Sequence, residues 1–148
     1  MINFKAVIDP RLLDLGDNVL GPKQRQQMLF VVGQDMVEEI GQQFDTQGAH
    51  FLGRRWQDLS ERRKSERAAK GTWPGLILQD TGNLKRSRNN IATDTMATVR
   101  LTANYASTHE QGEGNVPQRK ILPPENVAKT VAIKSAQAYI DIVVKGIG

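Results

Sequence analysis

Gly21-Pro22-Lys23-Gln24-Arg25-Gln26-Gln27-Met28-Leu29-Phe30-Val31-Val32-Gly33-Gln34-Asp35-Met36-Val37-Glu38-Glu39-Ile40-Gly41-Gln42-Gln43-Phe44 is the stretch that decides the architecture. Met28, Val32, Met36, Ile40 and Phe44 recur every four residues, with Leu29 and Val37 beside them. Gln26, Gln27, Gln34, Asp35, Glu38 and Gln42 fill much of the rest. This spacing predicts an amphipathic helix of about 23 residues, about 35 Å long, opened by Pro22. Its apolar stripe reads as a core face.

Upstream, Ile2, Phe4, Ala6 and Ile8 alternate with Asn3 and Lys5, which predicts a half-buried strand over 2–8. Asp9-Pro10 ends it, and a short helix is expected from Pro10 to Leu15, closed by Gly16. Downstream, Asp45 to Asp58 reads as a loop. Ser60 is placed to cap a helix running to about Lys70 and stopped by Gly71. From Glu61 to Lys70 only Ala68 and Ala69 are apolar, so this helix is expected to project into solvent or meet a charged partner.

Leu84 to Asn89 forms one helical turn or more. Strands near Asn90–Thr93 and Ala97–Ala103 flank the turn Asp94-Thr95-Met96, with Ala97, Val99, Leu101 and Ala103 on one face. Tyr105 to Gln111 reads as a short helix and Gly112-Glu113-Gly114-Asn115 as a loop. Pro123-Pro124 leads into a last helix, Glu125 to Lys145, with Val127, Val131, Ala138 and Ile142 on its apolar side, joined by Ala128, Ala132, Tyr139 and Val143. The pattern predicts a single α+β domain over 1–148, with two long helices packed on a small antiparallel sheet and extended loops.

Composition narrows the chemistry. In 148 residues there is no cysteine, which excludes disulfides, thiolate metal sites, iron–sulfur clusters and Cys nucleophiles. Aromatics are 5%, so the core must be aliphatic. The first ten residues lack the basic, apolar and small-residue pattern of a leader, and no apolar run approaches the roughly 20 residues of a membrane span. A soluble, non-exported protein with no membrane partner is expected. Charge is uneven: Gly53 to Asn90 carries ten basic side chains, Arg54, Arg55, Arg62, Arg63, Lys64, Arg67, Lys70, Lys85, Arg86 and Arg88, against Asp58, Glu61, Glu66 and Asp80. Such a segment can be a solvated helix face laced with ion pairs, or a surface for phosphate or a neighbouring subunit.

Candidate chemistry is sparse. His50 and His109 lie far apart without metal-ligand spacing, and no phosphate loop, dinucleotide fingerprint or nucleophile elbow is present. Neither metal nor cofactor is expected. Leu76-Ile77-Leu78-Gln79-Asp80-Thr81-Gly82 has the form of an aspartic-protease strand and turn, which would make Asp80 half of a proton-sharing pair. The polar, basic, helix-like sequence after it favours a structural turn instead. There Thr81 or Asp80 caps the next helix, and Gly82 or Asn83 makes the bend.

Taken together, Gly53-Arg54-Arg55-Trp56-Gln57-Asp58-Leu59, Leu78-Gln79-Asp80-Thr81-Gly82-Asn83-Leu84-Lys85-Arg86-Ser87, Tyr105-Ala106-Ser107-Thr108-His109-Glu110-Gln111-Gly112 and Pro117-Gln118-Arg119-Lys120-Ile121-Leu122 resemble the phage virion morphogenesis family of tail-completion proteins. The likeness rests on Gly53, Trp56, Leu59, Thr81, Gly82, Leu84, Tyr105, Ala106, His109, Gly112, Pro117 and Arg119, in that order, between Phe44 and Leu122. Asp58, Glu110 and Ile121 depart from the family's usual Pro, Gln and Phe.

The resemblance implies a non-enzymatic virion protein at the neck of a contractile-tailed phage, or in a headless contractile particle. It would act as a ring, a hexamer, that caps the tail tube and joins tail to head. Implied partners are further copies of itself, the tail tube or sheath protein, a head–tail connector or neck protein, and genomic DNA passing without sequence readout. It would sit in the host cytoplasm until assembled. Within that reading His109 ties a strand end to a loop, and the helix 60–70 faces DNA or a neighbour. The loop 112–124 would contribute Val116, Ile121 and Leu122 to subunit contacts. The alternatives are a sequence-independent nucleic-acid-binding module and, third, a protease using Asp80.

Overall fold

The computed structural model describes residues 2–4 and 20–147. The expected continuation of the first strand to Ile8 and the helix Pro10–Leu15 lie outside them. In chain order the elements are β1 (Ile2–Phe4), α1 (Pro22–Asp45), α2 (Ala49–Leu52), α3 (Glu61–Ala69), α4 (Asn83–Arg86), β2 (Arg88–Ala92), β3 (Ala97–Leu101), α5 (Ala106–Gln111) and α6 (Glu125–Ile147). The strands form a sheet in the order β1-β3-β2. This is the α+β class read from the sequence, with its two long helices and a small sheet. The chain divides into two compact units, one of Met1–Ile2, Glu39–Arg88 and Leu101–Pro123, the other of Asn3–Glu38, Asn89–Arg100 and Pro124–Gly148.

In the second unit α1 and α6 pack with the β2–β3 hairpin. Leu20, Met28, Leu29, Val32, Ala97, Ala132, Ala136 and Ile140 form its core, edged by Ala92, Tyr139 and Val143. Gly33 is required where helix and hairpin meet, because a Cβ there would lie 2.8 Å from the side chain of Asn90. Ser135 Oγ donates to Asp35 at 2.5 Å, and Tyr139 donates to Gln27 at 2.9 Å, which fixes the two helices in register. The predicted apolar side of α6 is corrected in part. Ala132, Ser135, Ala136 and Ile140 are buried, whereas Ala138 and Ile142 face water. Three of those four buried residues are short, which lets the helices approach closely.

In the first unit the end of α1 supplies Ile40, Gln43 and Phe44, all fully buried. The segment read as a loop from Asp45 to Asp58 contains α2, one helical turn between Gly48 (φ 97°) and Gly53 (φ 69°). Four residues are too few to show a hydrophobic period, which is why the pattern missed them. Trp56 then turns inward, edge-on to Phe44 with ring centroids 5.9 Å apart. Its Nε1 donates to the carbonyl of Lys120 at 2.9 Å, and Gln43 Nε2 donates to the same oxygen at 2.9 Å. Gln43 Oε1 accepts the N–H of Phe51 at 2.8 Å, so this buried amide is satisfied at both ends.

Candidate functional site

Ser60 caps α3 as expected, its side chain accepting the N–H of Arg63 at 3.2 Å. The helix nonetheless has something to bury, and it is a charge. Arg67 is 2% exposed and donates through Nη1 to Leu76 O at 3.0 Å and through Nη2 to Thr72 O at 2.8 Å. Its guanidinium also lies 5.2 Å from the centroid of the Trp73 ring. Counting only apolar residues left this helix without an anchor. Arg67 is the anchor, so it does not face DNA or a neighbour.

Asp80 joins the same network. Its carboxylate accepts Thr72 Oγ1 at 2.6 Å, Lys70 Nζ at 2.5 Å and Arg63 Nη2 at 2.9 Å, with Arg67 Nε 3.6 Å away. The hydrogen bonds from Lys70 and then Thr72, aided by the Lys70 and Arg63 charges, lower its pKa to about 2. Asp80 therefore does not cap α4. Gly82, at φ 80°, occupies that position, and Thr81 Oγ1 accepts the N–H of Asn83 at 3.3 Å. Two residues earlier Leu78 holds a left-handed conformation (φ 62°), unusual for a branched side chain.

The opposing wall comes from α5 and the chain after it. Gly112 (φ 69°) ends α5, and a Cβ there would meet Gln118 at 2.9 Å, so only glycine lets the return strand pass. Arg119 N–H donates to His109 O at 2.8 Å, so it is the backbone of His109, not its side chain, that ties α5 to the loop. The Arg119 side chain is 4% exposed, and donates to Gln57 O at 2.9 Å and Asp58 O at 3.0 Å. Burial pushes its pKa down, opposed by Asp58. His109 Nδ1 is buried without a hydrogen-bond partner. Burial first, then the Arg119 and Arg63 charges, lower the imidazole pKa.

These walls enclose a cleft of ≈ 940 Å³. Leu59, Asp80, Thr81, Gly82, Leu84, Tyr105, His109, Val116, Pro117 and Arg119 all line it, with Arg63 and Arg67. Motifs scattered from Leu59 to Arg119 thus converge on one surface. Of the other motif residues, Trp56 and Ala106 are buried, and Gly53 and Gly112 end α2 and α5. Sequence reasoning missed Gln57, Asp58, Ser60, Leu78, Asn83 and Asn115 as lining residues. Their one signal was adjacency to motif positions.

The other cations are mostly engaged. Lys64 pairs with Asp58 at 2.8 Å and Glu61 at 3.4 Å, Arg62 with Glu66 at 3.2 Å, and Lys85 with Asp45. The Lys64 hydrogen bond leads the effects that lower the pKa of Asp58, and Asp58 in turn raises that of Lys64. Arg86 donates to Thr81 O at 2.9 Å, and Arg88 to Lys85 O at 2.7 Å. Arg54 and Arg55 are exposed. Ile121, expected at a subunit contact, is fully buried in its own unit, while Val116 and Leu122 are half-buried. Among the described residues no group of His, Asp and Glu could hold a metal, and no helix is long and apolar enough to cross a membrane.

The chain matches the phage virion morphogenesis family over residues 5–138 and belongs to that family. It is a protein of phage particle assembly. No curated protein and no solved structure matches it.

Proposed function

We propose that this chain completes the phage tail, acting without catalysis as one subunit of a closed six-membered ring at the neck. The observation that carries the ring is the pair Ile133 and Val144, eleven residues apart on one face of α6 and 54% and 52% exposed. Burying an aliphatic side chain is worth about 1.5–3 kcal/mol, and a rotationally repeated contact lets every subunit gain it. The ring would stand between the tail tube or sheath protein and a head–tail connector. Arg54 and Arg55 are exposed cations it could offer to passing DNA, which they would meet through phosphates without reading bases. The occupied Asp80 carboxylate supports a structural role for its turn.

Native mass spectrometry with negative-stain microscopy tests this directly. A closed ring is expected, alone or on purified tails, and Ile133→Glu with Val144→Glu should leave folded monomers. A wild-type chain that stays monomeric on tails, or tails that join heads normally without it, would sink the proposal.

A further inference from the structure

Arg119 carries a charge that its surroundings do not neutralise. Its guanidinium donates to two backbone carbonyls, and the Asp58 carboxylate acts on it only at longer range. The two carboxylates of the cleft are already taken, Asp80 by Lys70, Thr72 and Arg63, and Asp58 by Lys64. Beside Arg119 stands His109, whose buried Nδ1 lacks a partner. A desolvated guanidinium and an orphaned imidazole nitrogen in one open cleft are both costly, and one anion answers both.

We propose that this cleft receives a carboxylate-bearing peptide segment of another protein chain. One carboxylate oxygen would sit on Arg119 and the other on the His109 imidazole, in the tautomer that donates from Nδ1. The volume suits a peptide, and Leu59, Val116 and Pro117 offer apolar surface to the residues flanking the acid. Depth selects the source. Arg119 is too buried for the phosphates of a rigid duplex, whereas an acidic side chain on a flexible segment reaches it. The inference rests on the cleft and not on the ring.

The test uses the full chain and three probes: a blocked tetraglutamate peptide, its tetraglutamine counterpart, and sodium acetate at equal carboxylate concentration. The imidazole resonances of His109 are followed by NMR, with His50, paired to Glu39, as internal control. Tetraglutamate should shift His109 saturably, move its titration midpoint upward, leave His50 unmoved, and bind more weakly as salt rises. Arg119→Gln should abolish the shift. Because Arg119 is buried, Arg63→Gln is the second variant: it should keep the fold and weaken binding about tenfold. An equal response to tetraglutamine, no saturation at millimolar peptide, or displacement of the peptide by duplex DNA overturns the proposal. A full response to acetate also overturns it, reducing the cleft to a site for free small anions.

Discussion

Glu110 accepts the backbone N–H of Ile121 at 2.6 Å, and the same oxygen takes that of Leu122 at 3.2 Å. A half-buried carboxylate thereby fixes the chain that delivers Ile121 to the core. Burial raises the Glu110 pKa above its ordinary 4.5, against the pull of those two N–H donors and Lys120. The fold thus prefers the protonated form more than water does. The associated stability is fully present below the unfolded value and is lost as pH rises through the folded one. Glu110→Gln is neutral throughout and keeps an acceptor oxygen. In thermal melts it should match or exceed wild type by a few degrees at pH 7.5, and lose that advantage at pH 4. A variant weaker at pH 7.5 than at pH 4, relative to wild type, contradicts this account.

Asp80 titrates in the opposite sense. Its pKa is lowered from 3.8 to about 2, so its contribution is present above the unfolded value and disappears as pH falls through the folded one. Asp80→Asn should cost about 1.5–3 kcal/mol at pH 7, the range for hydrogen bonds to a charged group. That is more than a weakened cap would cost, because three donors and the buried Arg67 lose their counter-charge. Urea midpoints of the two proteins should converge near pH 2. Pepstatin-sensitive cleavage of casein by the wild type, absent from the variant, would return Asp80 to the role of a catalytic acid.

Arg67→Met should destabilise by about 3–5 kcal/mol, since removing one member of a buried charged network leaves its partners unpaired. Arg67→Lys should rescue little, because a single ammonium cannot replace a planar fork donating to both Leu76 and Thr72. Denaturant titrations of both variants, read alongside Trp fluorescence, measure this. A lysine variant as stable as wild type would show that charge alone fastens α3.

Gly48→Ala tests the turn beneath the indole. At φ 97° a Cβ is strained, and it would lie 2.5 Å from Trp56 Cδ1. A loss of about 1–3 kcal/mol is expected for the forced backbone, with more if the ring must shift. Trp56→Phe alone should cost less, since Lys120 O keeps its bond from Gln43. Chemical denaturation of the two single variants and the double gives the coupling.

Much of the frame was legible. The four-residue recurrence from Met28 to Phe44 gave α1 to within a residue or two, and alternation from Ala97 to Leu101 gave β3 with its buried face. The Ser60 cap and the Gly71 stop were equally plain. What pattern could not show was polar burial. Arg67, Gln43 and Arg119 look like surface residues to any hydropathy count, yet each is inside because carbonyls meet it, from the turn just after Arg67 and from more than 60 residues away for Gln43 and Arg119. Ile121 failed for the converse reason. An aliphatic residue in a Gly- and Pro-rich stretch looks available to a partner until Glu110 is seen to fix its backbone.

The Lys120 carbonyl also has a kinetic meaning. It takes donors from Gln43 and Trp56, 77 and 64 residues earlier in the chain. The α1 turn bearing Gln43 can close its own backbone bonds in about a microsecond, but its side chain finds no acceptor until the whole intervening segment has folded back. Lys120 is therefore the clasp of its unit. During synthesis a chain released upstream of it would hold nascent helix yet leave an indole and an amide without the oxygen they share. Such a chain stays unfinished until that single peptide group arrives.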